Sequence, residues 1–255
     1  MNADPVARLR TLGLWPAWRS RDPRVFEPSL DDSPAPGPVE AVTASPRSTL
    51  SSPKPPVSVS PDVGPVAAMD WAALHEAVRT CTGCPLHATR TQGVLGVGDV
   101  HADWLIVGEA PGAEEDRQGE PFVGQAGKLL DAMLAAIGLT RGENVYIANI
   151  LKSRPPGNRD PKPEEAAACR PYLDRQLTLI QPRILLALGR IAAQNLLATD
   201  APITRLRGRV HDYHGVPLVV TYHPAYLLRN PADKAKAWDD LCLARKVMAS
   251  DSKPR

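Results

Sequence analysis

Trp104-Leu105-Ile106-Val107-Gly108-Glu109-Ala110-Pro111-Gly112-Ala113-Glu114-Glu115-Asp116 is the stretch around which the rest of the chain can be ordered. Trp104–Val107 is a short apolar run of the kind a buried strand needs, and Gly108 ends it. Glu109 is the first charge after that run, where the chain must turn. Ala110-Pro111-Gly112 is compact and stiff, so backbone comes close to anything lying above a sheet. In open α/β sheets, ligands bind in the crevice beyond the carboxyl ends of the strands. A carboxylate at that place is either an active-site group or an N-cap acid for the next helix, and this stretch alone leaves both readings open.

Three further apolar runs have strand length: Val145–Leu151, Ile184–Leu188 and Pro217–Tyr222. Helical patterns separate them. Residues 69–79 place Trp71, Leu74, His75 and Val78 at helical spacing. Lys128–Ile137 puts Leu129, Leu130, Met133, Leu134 and Ile137 on one face, and Gly138 stops it. Pro163-Glu164-Glu165 has proline at the first helical position and acids in the first turn, both favourable there, and that helix runs to about Ile180, before Pro182. A short helix at Ile191–Leu197 follows Gly189, and a last one spans about residues 232–249. Strands alternating with helices predict an α/β fold with helices on both faces of a parallel sheet, here four-stranded and three-layered.

Composition bounds the rest. The chain has 255 residues, with 43% hydrophobic and 5% aromatic content and a formal charge of +2. A nearly neutral chain does not announce a nucleic-acid binder, so any basic surface must come from local clustering. No apolar run of transmembrane length occurs, and the N-terminus lacks a signal-peptide core, so the expected location is cytoplasmic. Residues 1–66 hold 13 of the 27 prolines, with much serine and alanine, and are expected to form a disordered leader ahead of one domain over residues 67–255. Within it, Leu9-Arg10-Thr11-Leu12-Gly13-Leu14-Trp15-Pro16-Ala17-Trp18-Arg19 reads either as a docking peptide for a protein partner or as a tail with scattered hydrophobes. Four cysteines in such a chain point to metal binding or chemistry more than to disulfides.

The residues after each strand carry the chemistry. Glu109 follows the first, Asn149 lies near the end of the second, and His223 follows the fourth. In a parallel sheet these ends share one edge, so the three should converge. A carboxylate, an amide and an imidazole can position water, read a polar ring edge and stabilise a developing anion. Taken singly, each has a plainer explanation: a cap, a buried turn, a loop histidine. Lys152, Arg154, Arg159 and Lys162, and again Arg205, Arg207 and Arg209, are basic clusters flanking the same edge. They would suit a phosphate backbone or form a solvated face. Phe122, in Gly119-Glu120-Pro121-Phe122-Val123-Gly124, is either a stacking platform for a flat base or a core anchor.

From about Cys81 to Met248 the chain resembles the family 4, iron–sulfur uracil-DNA glycosylases. The motifs that carry this are Cys81-x-x-Cys84, Gly108-Glu109-Ala110-Pro111-Gly112-x-x-Glu115-Asp116, Pro121-Phe122-Val123-Gly124, Asn149-Ile150-Leu151-Lys152-x-Arg154-Pro155-Pro156 and His223-Pro224-Ala225-Tyr226-Leu227-Leu228-Arg229. Each is weak alone; together and in register they are specific. The resemblance implies a DNA glycosylase that flips uracil out of DNA and hydrolyses its glycosidic bond, with uracil-containing DNA as partner, a monomeric state, and neither membrane nor nicotinamide or nucleotide cofactor. It implies that Phe122 stacks on the uracil, Asn149 reads its pairing edge and His223 faces O2. Glu109 and the Ala110 backbone would hold the hydrolytic water, and Glu115 would support the pocket. Leu227-Leu228-Arg229 would enter the duplex and fill the gap left by the base.

The resemblance also implies a 4Fe–4S cluster on four cysteines, the standard ligands of such clusters. Cys81, Cys84 and Cys169 match three, but Ser153 stands at the fourth position. Three cysteines with another ligand could instead hold zinc, the cluster could be lost, or Cys242 on the last helix could reach in. The contrasting reading is a catalytically silent nucleic-acid-binding protein with a degraded metal site. A generic α/β hydrolase is excluded by the absence of a Gly-x-Ser-x-Gly elbow.

Overall fold

The computed structural model describes residues 65–250. The leader expected over residues 1–66 lies outside this range, apart from Pro65 and Val66, which open a one-turn 3-10 helix ending at Ala68. Helix α1 (Trp71–Thr80) follows, started by the Asp70 carboxylate, which accepts from the Ala73 N–H at 2.8 Å.

The sheet is built from β1 (Val97–Gly98), β2 (Trp104–Gly108), β3 (Val145–Asn149), β4 (Ile184–Leu188), β5 (Val210–Tyr213) and β6 (Val216–Thr221), in the order β1-β3-β2-β4-β6-β5. The four apolar runs read from the sequence form its parallel centre, β3-β2-β4-β6. The expectation of four strands needs correction at both margins, where β1 and β5 add antiparallel edges. Neither edge strand has the composition of a buried strand. β1 is two residues long, and a Cβ on Gly98 would stand 2.2 Å from the Val145 carbonyl oxygen, so only glycine lets it pair so closely. β5 joins β6 through His214-Gly215, both at positive φ, the conformation a two-residue hairpin turn requires.

Alternation along the central strands divides the core. Trp104, Ile106, Ile147, Leu186 and Val219 pack on one face against α3 (Gln125–Ala136) and α8 (Lys234–Ser250). Leu105, Val107, Ala148, Ala187 and Val220 pack on the other against α4 (Pro163–Ile180), α5 (Arg190–Leu197) and the single turn α6 (Ile203–Leu206). This is the three-layer arrangement. Leu74 and Val78 of α1 form a satellite cluster with Leu95, packed by Tyr172 and Leu179 of α4. Among the described residues no helix is long and apolar enough to cross a membrane.

Two short helices complete the carboxyl edge: α2 (Ala113–Gln118) after β2, and α7 (Pro224–Arg229) after β6. The N-cap of α2 is Gly112, which removes the reading of Glu109 as a helix cap. α3 begins against the loop that carries Phe122. A Cβ on Gly127 would lie 1.7 Å from the Phe122 carbonyl oxygen, so the helix backbone itself is the contact surface. Glycine to alanine inside a helix ordinarily gains about 1 kcal/mol from propensity. Here overpacking reverses the sign: Gly127→Ala is expected to lose about 1–3 kcal/mol, read as a fall in the urea midpoint, and an unchanged or raised midpoint would refute this packing.

Candidate active site

The carboxyl ends of the parallel strands meet in register. Gly108 lies opposite Asn149, and Leu188 opposite Thr221. Beyond them the Ile150 and Leu151 N–H groups donate to the Gly108 and Glu109 carbonyls, both at 3.0 Å, and the Gly189 N–H donates to the Thr221 carbonyl at 2.8 Å. One cleft of about 690 Å³ opens over this edge, and Glu109, Ala110, Glu115, Phe122, Asn149, His223 and Arg229 all line it.

Phe122 adopts φ +56°, a left-handed conformation that bulky residues rarely take. Its loop is held from several sides. Arg141 donates to the Pro121 and Phe122 carbonyls at 3.1 and 2.9 Å. The Glu115 carboxylate accepts from Val123 and Gly124 N–H at 3.0 and 3.3 Å, and from the Gly112 N–H at 3.1 Å. The Phe122 ring then lies over Gly108, where a Cβ would come within 2.6 Å of it and 2.4 Å of the Asn149 side-chain oxygen. Glycine at the end of β2 is what lets ring and amide share the cleft floor. Asn149 is 2% exposed. Its Oδ1 is buried without a hydrogen-bond partner, a costly arrangement unless something else supplies one.

His223 is the N-cap of α7, with Pro224 at the first helical position. Proline has no N–H, so the first available donor is the Ala225 N–H, which bonds His223 Nδ1 at 3.1 Å. A backbone N–H can only donate, so Nδ1 accepts and the ring proton belongs on Nε2. Burial, with a smaller push from Arg229, lowers the His223 pKa to about 4, so the ring is neutral near pH 7. The Phe122 and His223 rings stand 5.5 Å apart, tilted by 30°. Gly189 is required beside His223, since a Cβ there would reach 2.8 Å from the His223 Cβ. Burial raises the Glu109 pKa to about 7; Asp160 adds to the rise and Arg190 opposes it. Asp160 and Arg190 pair with each other at 2.7 Å on the cleft margin.

Sequence reading misplaced several groups. Leu227 is 1% exposed and belongs to the core with α8, because α7 turns that side inward. Of the Leu227-Leu228-Arg229 segment, Leu228 is exposed and Arg229 lines the cleft. The basic clusters are not one surface. Lys152 is buried, Arg159 is paired with Glu165 at 2.6 Å, and Arg207 is paired with buried Asp240 at 2.7 Å and lies over the Tyr222 ring. Tyr222, Tyr226, Asp160 and Arg190 line the cleft and were not singled out; positions just after strand ends were the available signal for Tyr222 and Arg190, while Asp160 lies past a 3-10 turn and Tyr226 inside α7.

Cys169 is buried and Cys81 and Cys84 are partly so. Ser153 is buried too, but its Oγ accepts from Arg90 at 2.7 Å, and the same guanidinium donates to the Val78, Arg79 and Cys81 carbonyls. The donor set therefore does not fit a four-thiolate cluster. Among the described residues no group of three or more His, Cys, Asp and Glu side chains is placed to hold a metal ion. Cys242 stays on α8, away from the CxxC segment in sequence and on the helix that packs against the opposite face of the sheet.

The sequence pattern of the uracil DNA glycosylase superfamily matches residues 95–242. The chain is 50% identical over 162 residues to a type-4 uracil-DNA glycosylase of Archaeoglobus fulgidus, covering 60% of this chain and 81% of that protein. It is 44% identical over 183 residues to a type-4 uracil-DNA glycosylase of Pyrobaculum aerophilum, covering 69% and 93%. To a type-5 uracil-DNA glycosylase of Thermus thermophilus it is 39% identical over 119 residues, covering 41% and 54%.

The histidine geometry has a pH signature. The unfolded ring protonates near 6.5 and the folded one near 4. Between those values the unfolded chain binds the extra proton, so stability falls as pH drops through that window. The His223 ring resonances should stay at neutral-imidazole shifts from pH 8 down to about pH 5 in an NMR titration; a midpoint near 6.5 would contradict the buried placement.

Proposed function

The chain belongs to the uracil DNA glycosylase superfamily, and on that premise we propose which of its side chains release uracil from DNA. It is a hydrolase of the N-glycosidic bond of uracil in DNA, acting in DNA repair. The observation that carries the assignment of roles is the convergence of Glu109, Phe122, Asn149 and His223 on one cleft.

A base inside a duplex is out of reach, so the nucleotide is flipped into the pocket at the expense of stacking and pairing. Phe122 offers its face to the uracil ring. Asn149, whose Oδ1 lacks a partner, takes the pairing edge of the base as that partner. As the C1′–N1 bond breaks, its electron pair passes into the uracil ring and gathers partly on O2. The His223 Nε2–H donates to O2. Being neutral, the ring stabilises the anion by hydrogen bonding and hands over no proton. Glu109, as carboxylate, faces the positive charge growing on the sugar. With the Ala110 backbone it holds the water that attacks C1′ and takes up its proton. Glu115 acts on the loops and leaves the substrate to its neighbours. Leu228 and Arg229 are assigned to the duplex at the vacated position; Leu227 is not. Contact with uracil-containing DNA as a monomer, and a protein partner for the Leu9–Arg19 segment, belong to the same proposal.

No step passes through an iron–sulfur cluster. Arg90 already joins the Ser153 loop to the CxxC segment, the two parts that a fourth thiolate would help to bridge. Anaerobically purified protein is expected to hold well below a full complement of iron and acid-labile sulfide. Ser153→Cys is expected to raise both, with the visible charge-transfer absorbance of a cluster; a full complement in the unaltered chain overturns this.

Catalysis is tested by abasic-site formation on a uracil-containing single strand under single-turnover conditions. His223→Ala should lower the rate by about 10²–10³, and Phe122→Ala should lose about 1–3 kcal/mol of stacking. The rate of the unaltered enzyme should climb with pH through about 7 as Glu109 ionises. A chain that leaves uracil in place would instead favour the silent binding protein.

A further inference from the structure

Lys152 stood in the sequence as one of a basic cluster, yet its side chain is among the most buried in the molecule, at 1% exposure. Its Nζ donates to the Asn149 main-chain carbonyl at 2.8 Å and to Gln176 Oε1 at 2.6 Å. Gln176, fully buried on α4, passes the connection on, its Nε2 donating to the Leu95 carbonyl at 3.0 Å and to the Tyr146 hydroxyl at 3.2 Å.

The sheet register shows what this cluster replaces. β1 pairs with β3 only at Val97↔Ile147 and Gly98↔Tyr146. Continued by two residues, the antiparallel ladder would set Leu95 opposite Asn149. Both carbonyls are instead satisfied by the Lys152–Gln176 pair. A side-chain plug has taken the place of the last rungs of an edge strand at the residue that reads the base.

We infer that Lys152 is a positioning residue for uracil recognition, acting through the main chain of Asn149. The inference rests on the glycosylase reading above. Holding that carbonyl fixes the peptide plane after Asn149, and with it the direction in which the unpartnered Oδ1 points. The next two residues donate to the Gly108 and Glu109 carbonyls, so the same anchor steadies the turn that bears Glu109. Burying an amino group works against stability, and burial pushes the Lys152 pKa down to about 7. An apolar side chain of equal length would fill the volume, so filling volume does not account for a lysine here.

The test is a double-mutant cycle on uracil-containing single-stranded DNA, with inhibition by free uracil measured alongside and thermal melting as the folding control. Lys152→Met should slow single-turnover excision by roughly 10- to 100-fold, as expected for a misplaced reacting group, and weaken inhibition by free uracil in the same direction as Asn149→Ala should. In the Asn149→Ala background, Lys152→Met should add little. An unchanged rate with unchanged uracil inhibition, or losses that multiply in the double variant, overturns the inference. Should Lys152→Met fail to fold, Gln176→Met decides: removing one acceptor of Nζ should give a smaller loss that Asn149→Ala again absorbs, and no loss overturns it. If the unaltered chain leaves uracil DNA intact, the parent reading falls and this one with it; an active parent with a silent Lys152→Met sinks this one alone.

Discussion

The Glu115 carboxylate is the interaction on which the pocket depends. It sits in the first turn of α2 and accepts from Gly112 at that helix's own start, while its other oxygen accepts from Val123 and Gly124 at the start of α3. One negative charge thus meets two helix N-termini, each with partial positive charge and N–H groups that have no partner within the helix. The two loops it joins are those of Ala110 and Phe122. Without this clasp the Phe122 loop would keep only the Arg141 bonds to its carbonyls, and nothing would tie it to the Ala110 turn. Asp116, the next residue, is buried and performs a similar service backwards along the chain, accepting from the Thr91 N–H with both oxygens.

Much of this was legible because it follows from periodicity and strand ends. The runs at Trp104, Val145, Ile184 and Pro217 are apolar on both faces, as strands covered by helices must be, and they became the four central strands. Glu109, Asn149 and His223 could be placed together before any coordinates because parallel strands bring their carboxyl ends to one side. The edges were not legible. β1 has two residues and no period to detect, and β5 is Val210-His211-Asp212-Tyr213, whose polar content reads as loop. The outer strands are selected by glycine conformations and a tight turn, which a hydrophobic pattern does not register.

Charge proved the least reliable guide. Lys152, Arg159 and Arg207 looked alike as letters, yet one is inside the protein, one neutralises a buried glutamate and one stands over a tyrosine ring. A run of basic residues states only that positive groups are near one another along the chain, whereas the partner of each is set by the fold: Gln176 and Asp240 come from distant segments, and Glu165 from the first turn of the next helix. Leu227 misled for a related reason. Three consecutive residues on a helix point in three directions about 100° apart, so a contiguous motif cannot all face one ligand.

The bond between the Ala225 N–H and His223 Nδ1 has an implication for how this centre withstands sequence change. In many enzymes the imidazole is oriented by a carboxylate, and a single codon change can delete that group. Here the orienting donor is peptide backbone, common to every residue but proline. Drift at position 225 can therefore alter size or polarity while the ring keeps its proton on the same nitrogen. The vulnerable neighbour is Pro224, whose missing N–H leaves the imidazole no competing suitor.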